Sequence, residues 1–323
     1  MKCCRNLLFR RLLYMLLFFS VLLFLAPDVR AAALSGTCGR EGDNLSWIMD
    51  ENGVLTITGK GEMMDFRENS TRPWPVALVS SLVLTEGVTS IGDFAFFGCR
   101  RLESVSFPET LNFIGTRAFF FCSHLRSVEL PNSVTALGSN PFAHCSALEY
   151  IAVSSGNPVF TVTNGALLSL SDARMIWYPN GSVNTEFVIP DGIRIIDDYA
   201  FSFCRSLHSV ELPDTLVSIG ARAFDGCASL ETVILPTGLE EIGNQAFSNC
   251  SGLSALTIPE GVTALGQYTF ARCSKLSSVM ISDSVTAIDA TAFYCCFSLQ
   301  FFVGKGSAAE HFCLENGLPY DLV

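Results

Sequence analysis

Apolar residues return along this chain on two periods at once. Over short stretches they alternate with polar ones, as in Val105/Phe107, Val128/Leu130, Val210/Leu212 and Val279/Ile281. An inside–outside alternation of period two marks a short strand. At longer range a whole phrase recurs: Ile-Gly-x-x-Ala-Phe-x-x-Cys-x-x-Leu-x-x-Val-x-Leu-Pro. Its isoleucine position falls at Ile91, Ile114, Leu137, Ile196, Ile219, Ile242, Leu265 and Ile288. Each step is 23 residues, except that Leu137 to Ile196 is 59, one period plus 36. A fixed period in the twenties is the mark of a solenoid, whose coils cannot bury an apolar face alone and must stack on their neighbours.

The phrase translates into elements. Val-x-Leu-Pro predicts a strand that ends at Pro108, Pro131, Pro190, Pro213, Pro236 and Pro259, because proline has no amide to give a ladder. A second short strand closes on the Ile-Gly pair, with Gly92, Gly115, Gly138, Gly220, Gly243 and Gly266 expected at a bend of positive φ. Asp197 and Asp289 replace that glycine in two coils, and aspartate tolerates this region better than most residues. Ala-Phe then starts a helical turn. Phe96, Phe119, Phe142, Phe201, Phe224, Phe247, Phe270 and Phe293 share one offset and read as a stacked internal column.

The expected fold is therefore a repeat solenoid over residues 76–305, made of 23-residue coils with short parallel strands and short helical turns. A β-hairpin cap precedes it over 32–75, where Asp50-Glu51-Asn52-Gly53 separates two alternating runs and Pro73-Trp74 seals the junction. A short helical cap follows over 306–323, opened by Ser307 and stopped by Asn316-Gly317. The irregular step is an insert at about 154–186. There Ile176-Trp177-Tyr178-Pro179 imitates Val-x-Leu-Pro, which gives one degenerate coil and a short return to Phe187. Two readings of it stand: a structural irregularity that changes curvature, or a functional protrusion.

The first residues change the picture. Lys2, Arg5, Arg10 and Arg11 precede an apolar run from Leu12 to Ala26, and Ala31-Ala32-Ala33 supplies an Ala-x-Ala site. This is the plan of a secretory signal peptide over residues 1–31. The run is shorter than the roughly 20 residues of a membrane-spanning helix. Cleavage would remove five basic groups and one acidic group, taking the net charge from −11 to −15. So acidic a chain repels phosphate backbones, and nucleic acid is not an expected partner.

Thirteen cysteines in an exported chain invite a disulfide reading. Eight of them, Cys99, Cys122, Cys145, Cys204, Cys227, Cys250, Cys273 and Cys296, occupy one inward offset of the repeat. Buried thiols behave as small apolar groups, although ladder spacing also permits bridges between neighbouring coils. A single file cannot place four ligands at tetrahedral corners, so no metal is expected. Cys295, beside the file, is the expected reactive thiol.

The phrase over residues 91–303 resembles the BspA-like leucine-rich repeat family of bacterial surface proteins. Ser35-Gly36-Thr37-Cys38-Gly39, Gly53-Val54-Leu55-Thr56-Ile57 and Pro73-Trp74 are similar to its amino-terminal cap. Asn157-Pro158-Val159-Phe160 and Tyr178-Pro179 are similar to its insertion, and Asn316-Gly317-Leu318-Pro319-Tyr320 to its closing cap. The resemblance implies a secreted or surface interaction protein, with adhesion to host proteins, matrix proteins or other cells. It implies no catalytic residue and no cofactor.

Nothing in the residues contradicts that. His124, His144, His208 and His311 fall at unrelated offsets, outside any metal or nucleophile motif. The outward strand positions carry more information, since solenoids bind along such faces. The row is small and polar at first, then apolar from Ile234 onward. The expected partner-binding residues are Ile234, Met280 and, if the 23-residue register runs on, Phe301, joined by Trp177 and Tyr178 of the insert, with Trp177 outward by strand parity. The expected partner is an extracellular protein. A structural spacer or self-assembling element, and a glycan-binding module using Trp177 and Tyr178, stand as alternatives.

Overall fold

The computed structural model describes residues 34–323. The export sequence expected over 1–31 lies outside them. The described chain is a solenoid of parallel strands on two faces. The first ladder holds the Val-x-Leu-Pro strands. Val54–Gly59, Ser81–Leu84 and Ser104–Ser106 run side by side, as do Ala255–Ile258, Ser278–Ile281 and Gln300–Val303. The second ladder holds the short strands ending in Ile-Gly, such as Phe113–Ile114, Ser218–Ile219 and Glu241–Ile242. In the regular coils, partners in both ladders are 23 residues apart, as in Ser209↔Thr232 and Ile219↔Ile242.

The turn between the ladders carries a third set of bonds. The amides of Phe96, Phe201, Phe224 and Phe270 donate to carbonyls of Ala118, Ala223, Ala246 and Ala292 in the next coil, at 2.7–2.8 Å. The turn expected to be helical is instead bent by left-handed residues on both sides of the phenylalanine, such as Arg222 (φ 55°) before Phe224 and Gly226 (φ 77°) after it. That alternation breaks a helix and aims the amides along the stack, so in the regular coils the next coil takes up the bonds a helix would have made.

Between the three ladders runs the phenylalanine column. Phe201, Phe224 and Phe247 stack with ring centroids 4.9 and 5.0 Å apart and planes within 6° of parallel. Trp74 opens the column, stacked on Phe96 at 5.2 Å.

The glycine of Ile-Gly has a different cause from the one its position suggests. Gly115 and Gly243 do not adopt positive φ. A methyl group on Gly243 would lie 2.5 Å from the Ala221 nitrogen, and one on Gly115 would lie 2.6 Å from the Asp93 nitrogen. The coils touch backbone to backbone here, and a side chain would wedge them apart. Asp197 takes the place next to the insert and is used there: its carboxylate accepts from Arg174 Nε at 2.8 Å.

Both ends are capped. The hairpin of Gly42–Met49 and Val54–Gly59 turns on Asp50, whose Oδ1 accepts from the Asn52 and Val54 amides. At the other end Ser307 caps the helix Ala308–Asn316 by accepting from the Glu310 amide, and Gly317 closes it at φ 63°. Ala309, Phe312 and Cys313 bury the helix against the last coil. Tyr320–Leu322 then adds one more parallel strand beside Gln300–Val303.

The insert is neither a degenerate Val-x-Leu-Pro coil nor a protrusion. Phe160–Thr163, Ala166–Ser169 and Arg174–Trp177 form an antiparallel sheet. Its last strand joins the second ladder, with Met175 opposite Ile196. Met175 thus stands at the isoleucine position and Tyr178 at the phenylalanine position, stacked on Phe201 at 5.3 Å. All four residues of the middle strand are buried. Leu167 and Trp177 belong to the core on the amino-terminal side, whereas Ala166, Leu168, Met175 and Tyr178 belong to the core on the other. The insert is a wall between two cores. Asn157 ties it down: its amide donates to the Pro131 and Val134 carbonyls while its oxygen accepts from the Val159 and Phe160 amides.

Candidate binding surfaces

The outer face of the first ladder is built by register. Val188 pairs with Glu211, Thr257 with Met280 and Met280 with Phe302. Ile234 lies one coil beyond Glu211, just past the strand Thr232–Val233, so the row runs over two separate sheets with Ile234 at the break between them. Ile234 is 84% exposed and Met280 43%, and Val188 and Tyr150 are also largely open. Side chains opposite them on the same strands, such as Val233 and Val279, are core. The stacked coils therefore hold the outward residues over a packed core.

Three of the sequence-derived anchors do not lie on this surface. Phe301 is fully buried, because the last coil is one residue short: Ser278 pairs with Gln300, so Phe301 follows Val279 inward and packs on Phe293 at 5.0 Å. Phe302 takes the outward place. Trp177 is 3% exposed and Tyr178 1%. Strand parity assigns Trp177 outward, but the wall has core on both faces, so neither side of its strand meets solvent. Tyr178 reaches only its hydroxyl toward the surface, 3.2 Å from both Ser182 Oγ and Asn184 Nδ2. Glycan recognition by these two aromatics loses its footing.

The wall also interrupts the first ladder. Tyr150–Val153 pairs back to Ser127–Leu130, and Glu186–Val188 pairs forward to Ser209–Glu211. Between these two groups opens a cleft of about 890 Å³ lined by His124, Arg126, Glu149, Asn164 and Asn184. A second cleft, of about 530 Å³, lies on the turn side, and both are lined by Ser146.

The second cleft is edged by an aromatic cluster. His144 has Phe121 at 4.7 Å, Phe120 at 4.8 Å, Phe203 at 5.2 Å and Tyr199 at 5.4 Å. Arginines surround the cluster: Arg117 lies over Phe120 at 5.3 Å, Arg222 over Tyr199 at 5.5 Å and Arg205 over Phe203 at 5.7 Å. Burial, with Arg222 and Arg117 nearby, lowers the His144 pKa to about 4, so the ring is neutral at pH 7. These residues lie off the shared columns of the repeat, so periodicity alone does not flag them. The signal available was substitution at one offset, where Phe121, His144 and Phe203 stand in place of Gly98, Gly226 and Asn249.

The described cysteines are free thiols. In the file, the Sγ of Cys122, Cys145, Cys227, Cys250 and Cys273 lies 3.0–3.2 Å from the carbonyl of the phenylalanine 26 positions earlier and donates to it. Burial pushes the Cys99 and Cys227 thiols up to about 12, which suppresses the reactive thiolate. Cys295 is half-buried beside the file. Among the described residues no group of three or more His, Cys, Asp or Glu side chains could hold a metal ion, and no helix is long and apolar enough to cross a membrane.

The family model described as BspA type leucine-rich repeat region matches residues 77–181 and 177–300, in six copies. No curated protein matches the chain. Among solved structures, the chain is similar to a leucine-rich repeat protein from Eubacterium ventriosum, at 22% identity and a TM-score of 0.64, covering 84% of this chain and 85% of that one. It is similar to the pneumococcal vaccine antigen PcpA at 19% identity and a TM-score of 0.65, covering 89% and 99%. A leucine rich cell surface protein from Faecalibacterium prausnitzii matches at 23% identity and a TM-score of 0.55, covering 86% and 96%. At these identities the likeness is one of fold.

Proposed function

Because the chain belongs to the BspA-type leucine-rich repeat family, we propose that it is an exported, non-catalytic module that binds an extracellular protein along the outer face of its first ladder. The observation that carries this reading is that Val188, Ile234 and Met280 stand exposed at the outward positions of stacked coils, with half-buried Phe302 beyond them. Apolar groups displayed together on an otherwise polar surface mark interaction sites. The polar members of the row, Glu211 and Thr257, supply hydrogen bonding between the apolar contacts. Export is supported by the basic, apolar and Ala-x-Ala sequence over residues 1–33, and by the fold shared with a protein described as a cell surface protein. A non-catalytic role is supported by histidines that lie apart along the repeat and by thiols held protonated in the core.

The test is direct binding of the chain without residues 1–31 to immobilised fibronectin, laminin and collagen, with light scattering in parallel. Saturable binding by a monomer supports recognition. A polymer that grows with concentration and binds none of the three supports the self-assembling element instead.

A further inference from the structure

The turn side of the wall holds an arrangement that protein recognition on the strand face does not use. The cleft of about 530 Å³ has Arg100 on one edge and Arg205 on the other, contributed by coils on opposite sides of the insert. No carboxylate lines it. Neither arginine forms an ion pair among the described residues. In a chain with a net charge of −11, this is a locally cationic recess. Its walls include Phe121, stacked on His144 at 4.7 Å, and Phe203, over which Arg205 lies at 5.7 Å.

The backbone beneath those three rings follows the regular turn of the repeat. Phe121 (φ 62°), His144 (φ 60°) and Phe203 (φ 61°) all adopt the left-handed conformation, which costs a bulky residue roughly 1–2 kcal/mol relative to a right-handed one. Neighbouring coils fill the same offset with Gly98, Gly226 and Asn249, for which this conformation is easy. Arg272 and Cys295 bear the cost singly further along. Only beside the wall do three such side chains converge on one cleft. The repeat geometry thus aims three ring side chains at one cleft.

The polar groups narrow the ligand. Ser123 and Ser146 already donate their hydroxyl protons to the Arg100 and Ser123 carbonyls, and Asn180 donates its amide to the Ser202 carbonyl. The serines keep oxygen lone pairs, and Asn180 keeps its carbonyl oxygen and a second N–H. The cleft thus presents acceptors and one amide donor in the middle, aromatic rings beside them, and guanidinium donors at two separated edges. Such a mixture suits hydroxyl groups, which both donate and accept, and guanidinium suits carboxylates. Two arginines on opposite edges suit more than one carboxylate along a chain. We propose that this cleft binds a polysaccharide segment rich in uronic acid, its sugar rings beside Phe121 and Phe203 and its carboxylates on Arg100 and Arg205.

Titration calorimetry of the chain without residues 1–31 tests this with three probes: hexagalacturonate, its full methyl ester and hexaglutamate. Hexagalacturonate should bind at least about tenfold more tightly than either of the others. Arg100→Ala/Arg205→Ala should weaken it at least about tenfold. Phe121→Gly, which removes a ring while relieving the left-handed backbone, should weaken it with no loss of melting temperature. Ile234→Asp should leave it unchanged. Equal binding of the methyl ester, equal binding of hexaglutamate, no binding of hexagalacturonate, or full affinity in both the arginine and the Phe121 variants would overturn the proposal.

Discussion

The regular coils and the wall meet the same requirement in different ways. In a regular coil such as residues 219–241, each strand has one face in the core and one in solvent, and the turn amides reach the next coil. In the wall the strands turn antiparallel, the middle one is buried on both faces, and Leu167 and Leu168 point into separate cores. The stack tolerates the change because the wall reproduces the two contacts that matter to its neighbour: Met175 meets Ile196 in the second ladder, and Tyr178 meets Phe201 in the ring column. The difference teaches that the solenoid requires filled columns more than it requires a fixed coil length. It also leaves gaps where the turn and first ladder fail to follow, and both clefts open there.

The sharpest way to break this comparison is to empty the two regions in turn. Phe247→Ala in the regular column should lower unfolding free energy by about 3–5 kcal/mol in urea melts. If the wall is true core, Trp177→Ala should cost about as much, although Trp177 belongs to no repeat column. A loss below about 1 kcal/mol at Trp177 would return it to the surface. Gly243→Ala probes the backbone contact between coils and should cost about 2 kcal/mol through overpacking, since its methyl meets the Ala221 nitrogen at 2.5 Å.

A smaller effect reads the aromatic cluster at the wall. His144 titrates near 4 in the folded chain and near 6.5 when unfolded. The unfolded state therefore binds the proton first, and the stabilisation from a neutral His144 is complete above about pH 6.5 and falls as pH drops toward 4. Wild type should lose on the order of 2 kcal/mol relative to His144→Asn over that window, after allowing for solvent at the half-buried ring. Parallel melting curves at the two pH limits would contradict a desolvated ring. Smallest of all, Ile234→Asp should change stability by no more than about 0.5 kcal/mol, as a surface substitution does.

Much of the fold was legible in the sequence because the physics repeats with it. A strand alternates, a proline ends it, and a phenylalanine every 23 residues must stack on the next; these consequences appear as ladders and rings at 4.9–5.7 Å. Ser307 and Gly317 likewise bound the closing helix. What was not legible depends on neighbours that sequence alone does not place. A glycine looks the same whether it permits positive φ or close approach, and at Gly243 the second holds. Parity assigns Trp177 a solvent side only if its strand has one. A missing residue in the last coil exchanged Phe301 for Phe302, because a one-residue shift of register reverses every side chain. The cluster around His144 comes from residues on opposite sides of the insert, and only the fold joins them.

Ile234 and Met280 are the expected anchors that the fold also places in solvent. The decisive measurement is the affinity of Ile234→Asp/Met280→Asp, beside wild type, for a matrix protein that the wild-type chain binds. Binding at least about tenfold weaker, with an unchanged melting temperature, is the predicted result. Wild-type affinity in the folded double variant would contradict recognition along the strand face.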